Sequence, residues 1–188
     1  MIMHQNFCIE KLRFYTTKHH NYSFMNNRIM KELQGVGCSR DVKLFEGSDS
    51  NVKALQTAGP LKSHALSVLR KWIISMILKD KVVPDPKISD YWVSFYQEGD
   101  HTVPHHHLPT LYAFNYFIKT PKGSSPLIFS SSNTIIEPEE GKLLIFPSNL
   151  IHHVPPNNCN ERIVFSGNII DNTTINPEDW MRGITKFQ

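Results

Sequence analysis

The sequence predicts a mainly β fold with helices in its N-terminal part (α+β), in which the β portion forms a double-stranded β-helix, or jelly roll. Three observations favour it. Short apolar segments separated by turn signals run from residue 91 onward, an amphipathic helix precedes them, and two histidine clusters lie far apart in the chain. Several short strands at regular spacing are typical of a sandwich or barrel rather than a βαβ sheet. A jelly roll pairs strands that are distant in sequence, and would bring His105 beside His152.

The N-terminal part predicts little regular structure. Residues 7–15 alternate weakly between apolar and polar side chains, which predicts an edge strand. A short helix is expected to begin at a capping residue, Ser23 or Asn26, and to end near Leu33. The stretch rich in Gly, Ser, Asp and Asn that follows predicts one strand, at residues 42–45.

Residues 61–79 predict a helix that buttresses the back of a sheet. Pro60 fits the start of a helix, and Pro84 and Pro86 close its exit. An apolar stripe of this kind usually packs against other elements. The apolar residues recur at helical spacing: Leu61, Ala65, Leu69, Trp72, Ile73, Met76 and Ile77.

The second half of the chain is predicted to be β-structure. Its apolar, aromatic and β-branched segments are short, and Gly, Pro, Ser and Asn separate them. The predicted strands are residues 91–96, 111–118, 127–130, 134–136, 142–146, 151–154 and 162–169.

Length and composition indicate one ordinary globular domain over residues 1–188. The chain is 40% apolar and 20% charged. We expect N-terminal support from residues 1–90, a β core at 91–170 and a C-terminal tail at 171–188. The net charge of +3 is too small and too evenly spread to favour nucleic acid. The expected partner is therefore a small molecule or a peptide or protein side chain.

The chain is expected in the cytoplasm. Cys8, Cys38 and Cys159 are odd in number and far apart, which is typical of free thiols in a reducing compartment. The first residues contain no apolar signal region. No stretch approaches the roughly 20 apolar residues that a membrane span needs. The sequence does not predict the oligomeric state.

The two histidine clusters, residues 101–107 and 152–153, hold six of the ten histidines. Because side chains alternate along a strand, His105 and His107 would share one face, and His106 would turn away. His152 would supply a third ligand, and neutral imidazole suits iron, zinc, copper and nickel. Asp100 is the alternative to His107, and surface placement of both clusters is the simpler interpretation. The histidines without a motif around them are expected at the surface: His4, His19, His20 and His64.

Arg162 follows His152 by ten residues and opens an apolar run. A guanidinium does not lose its charge and binds a carboxylate through two parallel hydrogen bonds. Buried without an anion it would be costly, which indicates a ligand or an acidic partner. The alternative is a surface ion pair with the neighbouring Glu161.

These residues resemble the Fe(II)/2-oxoglutarate-dependent oxygenases. The chain is most similar to the small stand-alone members found in bacteria and phages, and it shares the motif layout of the prolyl 4-hydroxylases. The resemblance covers roughly residues 91–170, which is under half the chain. It is carried by Tyr96-x-x-Gly99 ahead of His105, by His105-x-His107, by the aromatic strand and proline turn at 116–121, by residues 139–155 around His152, and by Arg162.

The resemblance implies a metal site and a co-substrate site. His105, His107 and His152 would bind Fe(II). Arg162 would hold 2-oxoglutarate, helped by Tyr96 and Asn115. The implied activity is hydroxylation of a substrate C–H bond by O2, coupled to oxidative decarboxylation of 2-oxoglutarate.

The sequence departs from the family pattern at three positions. His107 stands where the family has a carboxylate. Val164 replaces a serine that helps to bind the co-substrate, for which Ser166 or Asn168 could substitute. A tyrosine is replaced by Phe117, and Asn115 could supply the missing hydrogen bond.

These departures leave two alternatives open. One is a three-histidine cupin-type dioxygenase that binds its substrate directly to iron, with Arg162 on the substrate's own carboxylate. The other is a non-enzymatic jelly-roll module in which the histidines bind a structural metal or none.

Overall fold

The computed structural model describes residues 14–34, 36, 38–39, 54–57, 61–81 and 83–173. Thirteen elements follow one another in this part of the chain. They are β1 (Tyr15–Lys18), α1 (Tyr22–Glu32), β2 (Cys38–Ser39), β3 (Leu55–Thr57), α2 (His64–Lys79), β4 (Pro86–Tyr96), β5 (Thr102–His105), β6 (Tyr112–Lys119), β7 (Leu127–Phe129), β8 (Thr134–Ile136), β9 (Lys142–Pro147), β10 (His152–Val154) and β11 (Arg162–Asp171).

The strands form two antiparallel sheets. The larger sheet has the order β1-β9-β6-β11-β4-β3-β2, and the smaller one has the order β5-β10-β7-β8. Most neighbours in the sheets are distant in sequence, as in a jelly roll: β11 lies between β4 and β6, and β10 lies between β5 and β7. The predicted fold class, mainly β with N-terminal helices, is confirmed.

Side-chain alternation divides the larger sheet into two faces with separate cores. Leu144 and Phe146 of β9 pack with Phe129 and Leu127 of β7 in the space between the sheets. On the other face, Leu143 and Ile145 belong to the core formed with both helices. The space between the sheets is where a ligand site can form, because the outer face is already covered.

Helix α2 covers the back of the larger sheet, as predicted. Its buried residues Leu69 and Ile73 share a core with Val93 of β4 and Phe165 of β11. The helix begins at His64 rather than near Pro60, because Ser63 caps it: the Ser63 hydroxyl oxygen accepts a hydrogen bond from the Leu66 N–H at 3.0 Å.

Helix α1 differs from the prediction at its start. Asn21 occupies the N-cap position, instead of Ser23 or Asn26, while the helix ends at Glu32, close to the predicted Leu33. Asn26 is buried inside the helix. Its amide donates to the Ile118 carbonyl at 2.7 Å and accepts from the Tyr116 hydroxyl at 2.9 Å. Asn26, a residue type typical of helix caps, therefore connects the helix to the sheet instead of capping the helix.

Several predicted strands have different limits. Strand β4 begins at Pro86 rather than residue 91, because it pairs with β11 along its whole length. The alternation of His105 and His107 predicted a strand through both histidines, whereas β5 spans Thr102–His105. The predicted strand at 42–45 lies outside the described residues, as does most of the one at 7–15, and the described edge strand is β1. Most of the predicted C-terminal tail also lies outside the described part.

Two of the cysteines that were predicted to be free thiols lie in the described part. The Cys159 thiol is free, and Cys38 is described only through its backbone in β2. Cys8 lies outside the described residues. In the described part of the chain, no helix is long and apolar enough to cross a membrane.

The hydrogen bond between Tyr116 and Asn26 predicts a measurable coupling between α1 and the larger sheet. Replacing Tyr116 with Phe leaves the buried Asn26 Oδ1 without its donor, which should cost about 1–3 kcal/mol of stability. Urea unfolding should show the loss as a lower midpoint with an unchanged slope. The double variant Asn26→Leu/Tyr116→Phe should lose less than the sum of the two single variants. Strict additivity would contradict the coupling.

Candidate active site

Three histidines converge between the sheets. One ring nitrogen from each of His105, His107 and His152 lies within 4.8 Å of the others. The Nε2 atoms of His107 and His152 are 3.3 Å apart. Metal–imidazole bonds of about 2.0–2.1 Å place two ligand nitrogens roughly 3 Å apart, so the spacing suits one shared ion. Among the described residues, this is the one cluster of histidine, cysteine and acidic side chains that could hold a metal.

Strand pairing accounts for two of the three positions. His105 at the end of β5 lies directly opposite His152 at the start of β10. His107 lies beyond the end of β5, and its backbone N–H donates to the Ser148 carbonyl at 2.8 Å. The expectation that strand alternation aligns His105 with His107 is therefore wrong in its reason, although the two side chains do converge. His106 is exposed, as expected.

Backbone carbonyls orient two of the rings. The Nδ1–H of His105 donates to the Val103 carbonyl at 2.9 Å, and that of His152 donates to the Leu150 carbonyl at 2.8 Å. A ring held in this way carries its proton on Nδ1 and presents the Nε2 lone pair to the centre. Metal-binding histidines are held by the same kind of contact.

Burial keeps these imidazoles neutral. It lowers the pKa of His105, and it lowers the pKa of His107 and of His152 to about 3, with a smaller contribution from the neighbouring imidazoles. Neutral imidazole is the form that binds a metal ion. Near neutral pH, protons therefore do not compete for these nitrogens.

Aromatic rings surround the cluster. The Trp92 indole stacks on His107 with centroids 6.0 Å apart, and Phe146 meets His152 edge-on at 4.7 Å. Phe129 lies 6.3 Å from the His152 ring. These contacts restrict the rotation of two of the three imidazoles and keep bulk water from that side.

Arg162 begins β11 and is 1% exposed. Its Nε and Nη1 atoms are buried and have no hydrogen-bond partner. The guanidinium lies over the Tyr96 ring at 4.4 Å and near the Phe117 ring at 5.8 Å. Burial lowers its pKa, and the Tyr96 hydroxyl partly opposes that shift.

The alternative prediction, a surface ion pair between Arg162 and Glu161, is wrong. Glu161 is exposed, and its carboxylate pairs with the Lys119 ammonium at 2.6 Å. Two unpaired nitrogens on a buried, charged side chain indicate a binding place for an anion from outside the protein.

The imidazoles and the guanidinium face the same cavity. Its polar lining contains hydroxyl, amide, imidazole and guanidinium groups, and the remainder is apolar or aromatic. The lining residues are Gln56, Trp92, Ser94, Tyr96, Thr102, His105, His107, Phe114, Asn115, Leu127, His152, Val154, Arg162, Val164 and Ser166.

Strand β11 sets the depth of the cavity. Arg162 lies opposite Tyr96 of β4, and four residues along β11, Ser166 lies opposite Trp92. Four residues of strand span about 13 Å. Because Trp92 stacks on His107, the Ser166 level lies beside the imidazoles and the Arg162 level lies at the far end.

The two further residues predicted for the co-substrate lie at different depths. Tyr96 is at the Arg162 end, where its hydroxyl shares a hydrogen bond of 2.8 Å with Thr102. Asn115 is opposite Ser166, and its side-chain oxygen accepts from the Ser166 hydroxyl at 2.8 Å. Asn115 therefore lies at the imidazole end rather than beside Tyr96.

Two other candidates do not lie in the cavity. Asn168, expected as a substitute for the family's serine, donates instead to the Asp90 carboxylate at 2.6 Å. Asp100, the alternative third ligand, accepts from the Gln97 N–H at 2.8 Å, in the turn between β4 and β5. That hydrogen bond holds the turn and keeps the carboxylate out of the histidine cluster.

Gln56, Ser94 and Thr102 also line the cavity and were not predicted as site residues. Gln56 is buried on β3 and donates to the Ser94 hydroxyl at 3.1 Å. No pattern in the stretch around Gln56 indicates a site residue, since its position depends on the pairing of β3 with β4. Thr102 begins β5, which starts three residues before the histidine pair that was expected on a strand.

Of the four histidines expected at the surface, two are exposed, one is buried and one lies outside the described residues. His20 and His64 are exposed, and His4 lies outside the described residues. The prediction is wrong for His19, which is 7% exposed and packs edge-on against Trp72 at 4.7 Å. His153 is half-buried and shares a hydrogen bond of 3.1 Å with Ser130, away from the metal cluster.

A family model matches the part of the chain that holds two of the site residues. Residues 129–168, which include His152 and Arg162, match the model of a family described as "Putative 2OG-Fe(II) oxygenase". No curated protein sequence matches the chain.

Solved structures share the fold. A viral collagen prolyl hydroxylase from Paramecium Bursaria Chlorella virus-1, in complex with 2OG, superposes with a TM-score of 0.66 at 16% identity, over 87% of this chain and 98% of that one. A prolyl-4-hydroxylase from Pseudomonas putida gives 0.64 at 14% identity, over 86% and 94%. A prolyl hydroxylase from Trichoplax adhaerens, in complex with a hypoxia inducible factor peptide fragment, gives 0.64 at 16% identity, over 85% and 84%.

These findings confirm the resemblance to the Fe(II)/2-oxoglutarate-dependent oxygenase superfamily, and with it the predicted enzyme class. The cofactors of that class are Fe(II), 2-oxoglutarate and O2. The residues present fit them: three convergent neutral nitrogens suit Fe(II), and a buried guanidinium with unpaired nitrogens suits a carboxylate.

The lowered pKa values predict a loss of stability of the metal-free protein in acid. Unfolded imidazoles bind protons below about pH 6.5, whereas the folded His107 and His152 do so only near pH 3. Between these values the unfolded state takes up more protons, so stability falls as the pH falls. Urea midpoints between pH 7 and pH 4 should fall less steeply for His152→Gln than for wild type. His106→Gln, at an exposed position, serves as the control, and equal slopes for His152→Gln and wild type would contradict the prediction.

Proposed function

We propose that this protein is a non-haem, Fe(II)- and 2-oxoglutarate-dependent hydroxylase, with His105, His107 and His152 as the iron ligands. The observation that carries the proposal is the shared cavity, with three neutral imidazoles at one end and, at the other, a buried guanidinium of which two nitrogens have no hydrogen-bond partner. Such a cavity suits a ligand with a metal-binding end and a carboxylate end. 2-Oxoglutarate has both.

The protein supplies position and charge. When bound, iron and 2-oxoglutarate supply the oxidising chemistry that activates O2 against a C–H bond. His105 and His152 would hold the metal in a fixed orientation, since their Nδ1 protons are engaged by backbone carbonyls. His107 would complete the set from its loop, with Trp92 limiting the movement of its ring.

Arg162 would bind the distal carboxylate of 2-oxoglutarate. Its unpaired Nε and Nη1 have N–H groups free to donate hydrogen bonds to a carboxylate. The Tyr96 ring supports the plane of the guanidinium, and the hydroxyls of Tyr96 and Thr102 lie at the same end of the cavity. The low local dielectric strengthens this contact.

Asn115 and Ser166 would act at the other end of the co-substrate. They hydrogen-bond to each other at the depth of the imidazoles. This pair could replace the polar contacts that Val164 and Phe117 do not provide. Val164 lines the cavity, and Phe117 is buried beside the guanidinium.

The proposed reaction is hydroxylation of a small molecule or of a side chain in a peptide. Among the proteins that share the fold are prolyl hydroxylases, one of them bound to a peptide fragment. The identities of 14–16% carry the fold and not the substrate. The assignment as a hydroxylase is therefore tested first through the binding of 2-oxoglutarate, since the substrate is not known.

One observation favours a second candidate, the three-histidine dioxygenase that binds its substrate directly to iron. His107 stands where a carboxylate would complete the common triad. In that enzyme Arg162 would hold the substrate carboxylate, and 2-oxoglutarate would not be needed.

Replacing His152 with Ala should abolish metal binding. One of three ligands is lost, together with the ring that faces His105 across β5 and β10. Equilibrium dialysis with Fe(II) under argon, or with Mn(II) in air, measures the effect. His106→Ala is the matched control, because that side chain is exposed in the same loop. If the His152→Ala protein binds Fe(II) as tightly as wild type, the metal site lies elsewhere.

Replacing Arg162 with Ala separates the two enzyme classes. Losing one partner of a buried, hydrogen-bonded charge pair costs about 2–5 kcal/mol, so 2-oxoglutarate should bind about 30-fold to several thousandfold more weakly. Arg162→Lys should recover part of the affinity, because an ammonium cannot make the two parallel hydrogen bonds. Isothermal titration of the Mn(II)-loaded protein measures the affinity, and metal affinity itself should not change.

Unchanged 2-oxoglutarate affinity in the Ala variant would rule out this co-substrate site. The direct-binding dioxygenase would then be the better assignment, provided that wild-type protein loads with metal.

A further inference from the structure

The described lining of the cavity carries a single permanent charge, which is positive. Among the described residues that line it, none is acidic, and Arg162 is the one permanently charged side chain. Asp90 lies on β4 two residues before Trp92, but it is exposed and accepts a hydrogen bond from Asn168. The Asp100 carboxylate is engaged in the turn after β4. Neither contributes to the lining.

The inference rests on the proposed function, since it concerns the cavity loaded with Fe(II) and 2-oxoglutarate. Histidine ligands to a metal are neutral. The two positive charges of Fe(II) balance the two negative charges of 2-oxoglutarate, and the charge of Arg162 remains. With a carboxylate at position 107, as in the common triad, the sum would be zero. The presence of His107 leaves one uncompensated positive charge.

An uncompensated charge in this place is costly. His152 is 3% exposed and His105 and His107 are half-buried, with aromatic rings on one side, so water screens the charge less well than at the protein surface. The charge resides toward the metal, because Arg162 is neutralised by the distal carboxylate of the co-substrate. The cheapest compensation is an occupant with one negative charge beside the imidazoles.

Polar groups suited to such an occupant lie at that depth. The Ser166 hydroxyl and the Asn115 side chain are opposite each other on β11 and β6, and both line the cavity. The hydroxyl now donates to Asn115, and rotation about its C–O bond would turn it toward an anion. A carboxylate accepts from both a hydroxyl and an amide.

We propose that the loaded cavity binds a monoanionic carboxylate beside the three imidazoles, and that the substrate carries this carboxylate near the carbon that is oxidised. His107 selects for it by leaving the charge uncompensated. The Ser166 hydroxyl donates a hydrogen bond to it, and the Asn115 amide, which has two N–H groups, can donate both to it and to the co-substrate. A neutral or cationic group of the same size is disfavoured at this position.

Acetate is the probe for this site. The full-length protein is loaded with Mn(II) and saturating 2-oxoglutarate, and binding of labelled acetate is measured by equilibrium dialysis. Acetamide, as the neutral isostere, and methylammonium, as a cation, are measured in parallel. Acetate should bind at least about tenfold more tightly than acetamide, and methylammonium should not bind. Retention of 2-oxoglutarate in the same samples shows that acetate has not displaced it from Arg162.

The decisive comparison is His107→Asp, with His107→Glu as a second variant that reaches further toward the metal. Both restore a negative ligand, so acetate binding should weaken by about tenfold or more in whichever variant loads with metal. His107→Gln keeps a neutral ligand and is the matched control, in which the preference for acetate over acetamide should persist. Chloride is included as a competitor, to distinguish an inorganic anion from a carboxylate.

Each outcome has a separate meaning. If wild type takes up neither Mn(II) nor 2-oxoglutarate, the proposed function fails and the inference fails with it. Normal loading with equal affinity for acetate and acetamide overturns the inference alone, as does equal acetate binding by wild type and the loaded acidic variant. Chloride that binds more tightly than acetate would also overturn it, since the compensating charge would then be an inorganic ion.

Discussion

The pairing of β5 with β10 is the constraint on which the site depends. It places His105 opposite His152 across two strands separated by more than forty residues of chain. Side chains alternate along a strand, so a slip of one residue would turn one imidazole out of the space between the sheets. The register is held from the other side of β10, where His152 also lies opposite Phe129. The apolar core between the sheets thus fixes the geometry of a polar cluster.

Strand β11 plays the corresponding role in the larger sheet. It is hydrogen-bonded to β4 on one side and β6 on the other. Its alternate residues line the cavity from one end to the other, beginning with Arg162 and continuing with Val164 and Ser166. The opposite face of the sheet packs on α2 and is dry. Because β11 is hydrogen-bonded on both sides, its pairing holds Arg162 and Ser166 at opposite ends of the cavity.

The charge of the site is decided by a single loop residue. His107 does not belong to β5, and its backbone is tied to Ser148 across the mouth of the jelly roll. The strands therefore provide two neutral ligands and one cation, while the loop determines whether the metal shell carries a negative charge. In a buried cavity such a difference acts on every bound ion, because little water is present to screen it. Substitution in a loop can change it without disturbing the sheets.

The sequence by itself determined the fold class, the helix that becomes α2, most of the strands, and the three histidines and the arginine that the cavity brings together. These depend on local periodicity, on turn residues and on short motifs, all of which are visible along the chain. Only the tertiary structure decided that His107 approaches from a loop, that Gln56, Ser94 and Thr102 line the cavity, that His19 is buried, and that two nitrogens of Arg162 have no partner while Glu161 pairs with Lys119. Each of these facts is a contact between residues distant in sequence, and periodicity reports only which way a side chain faces, not what meets it there.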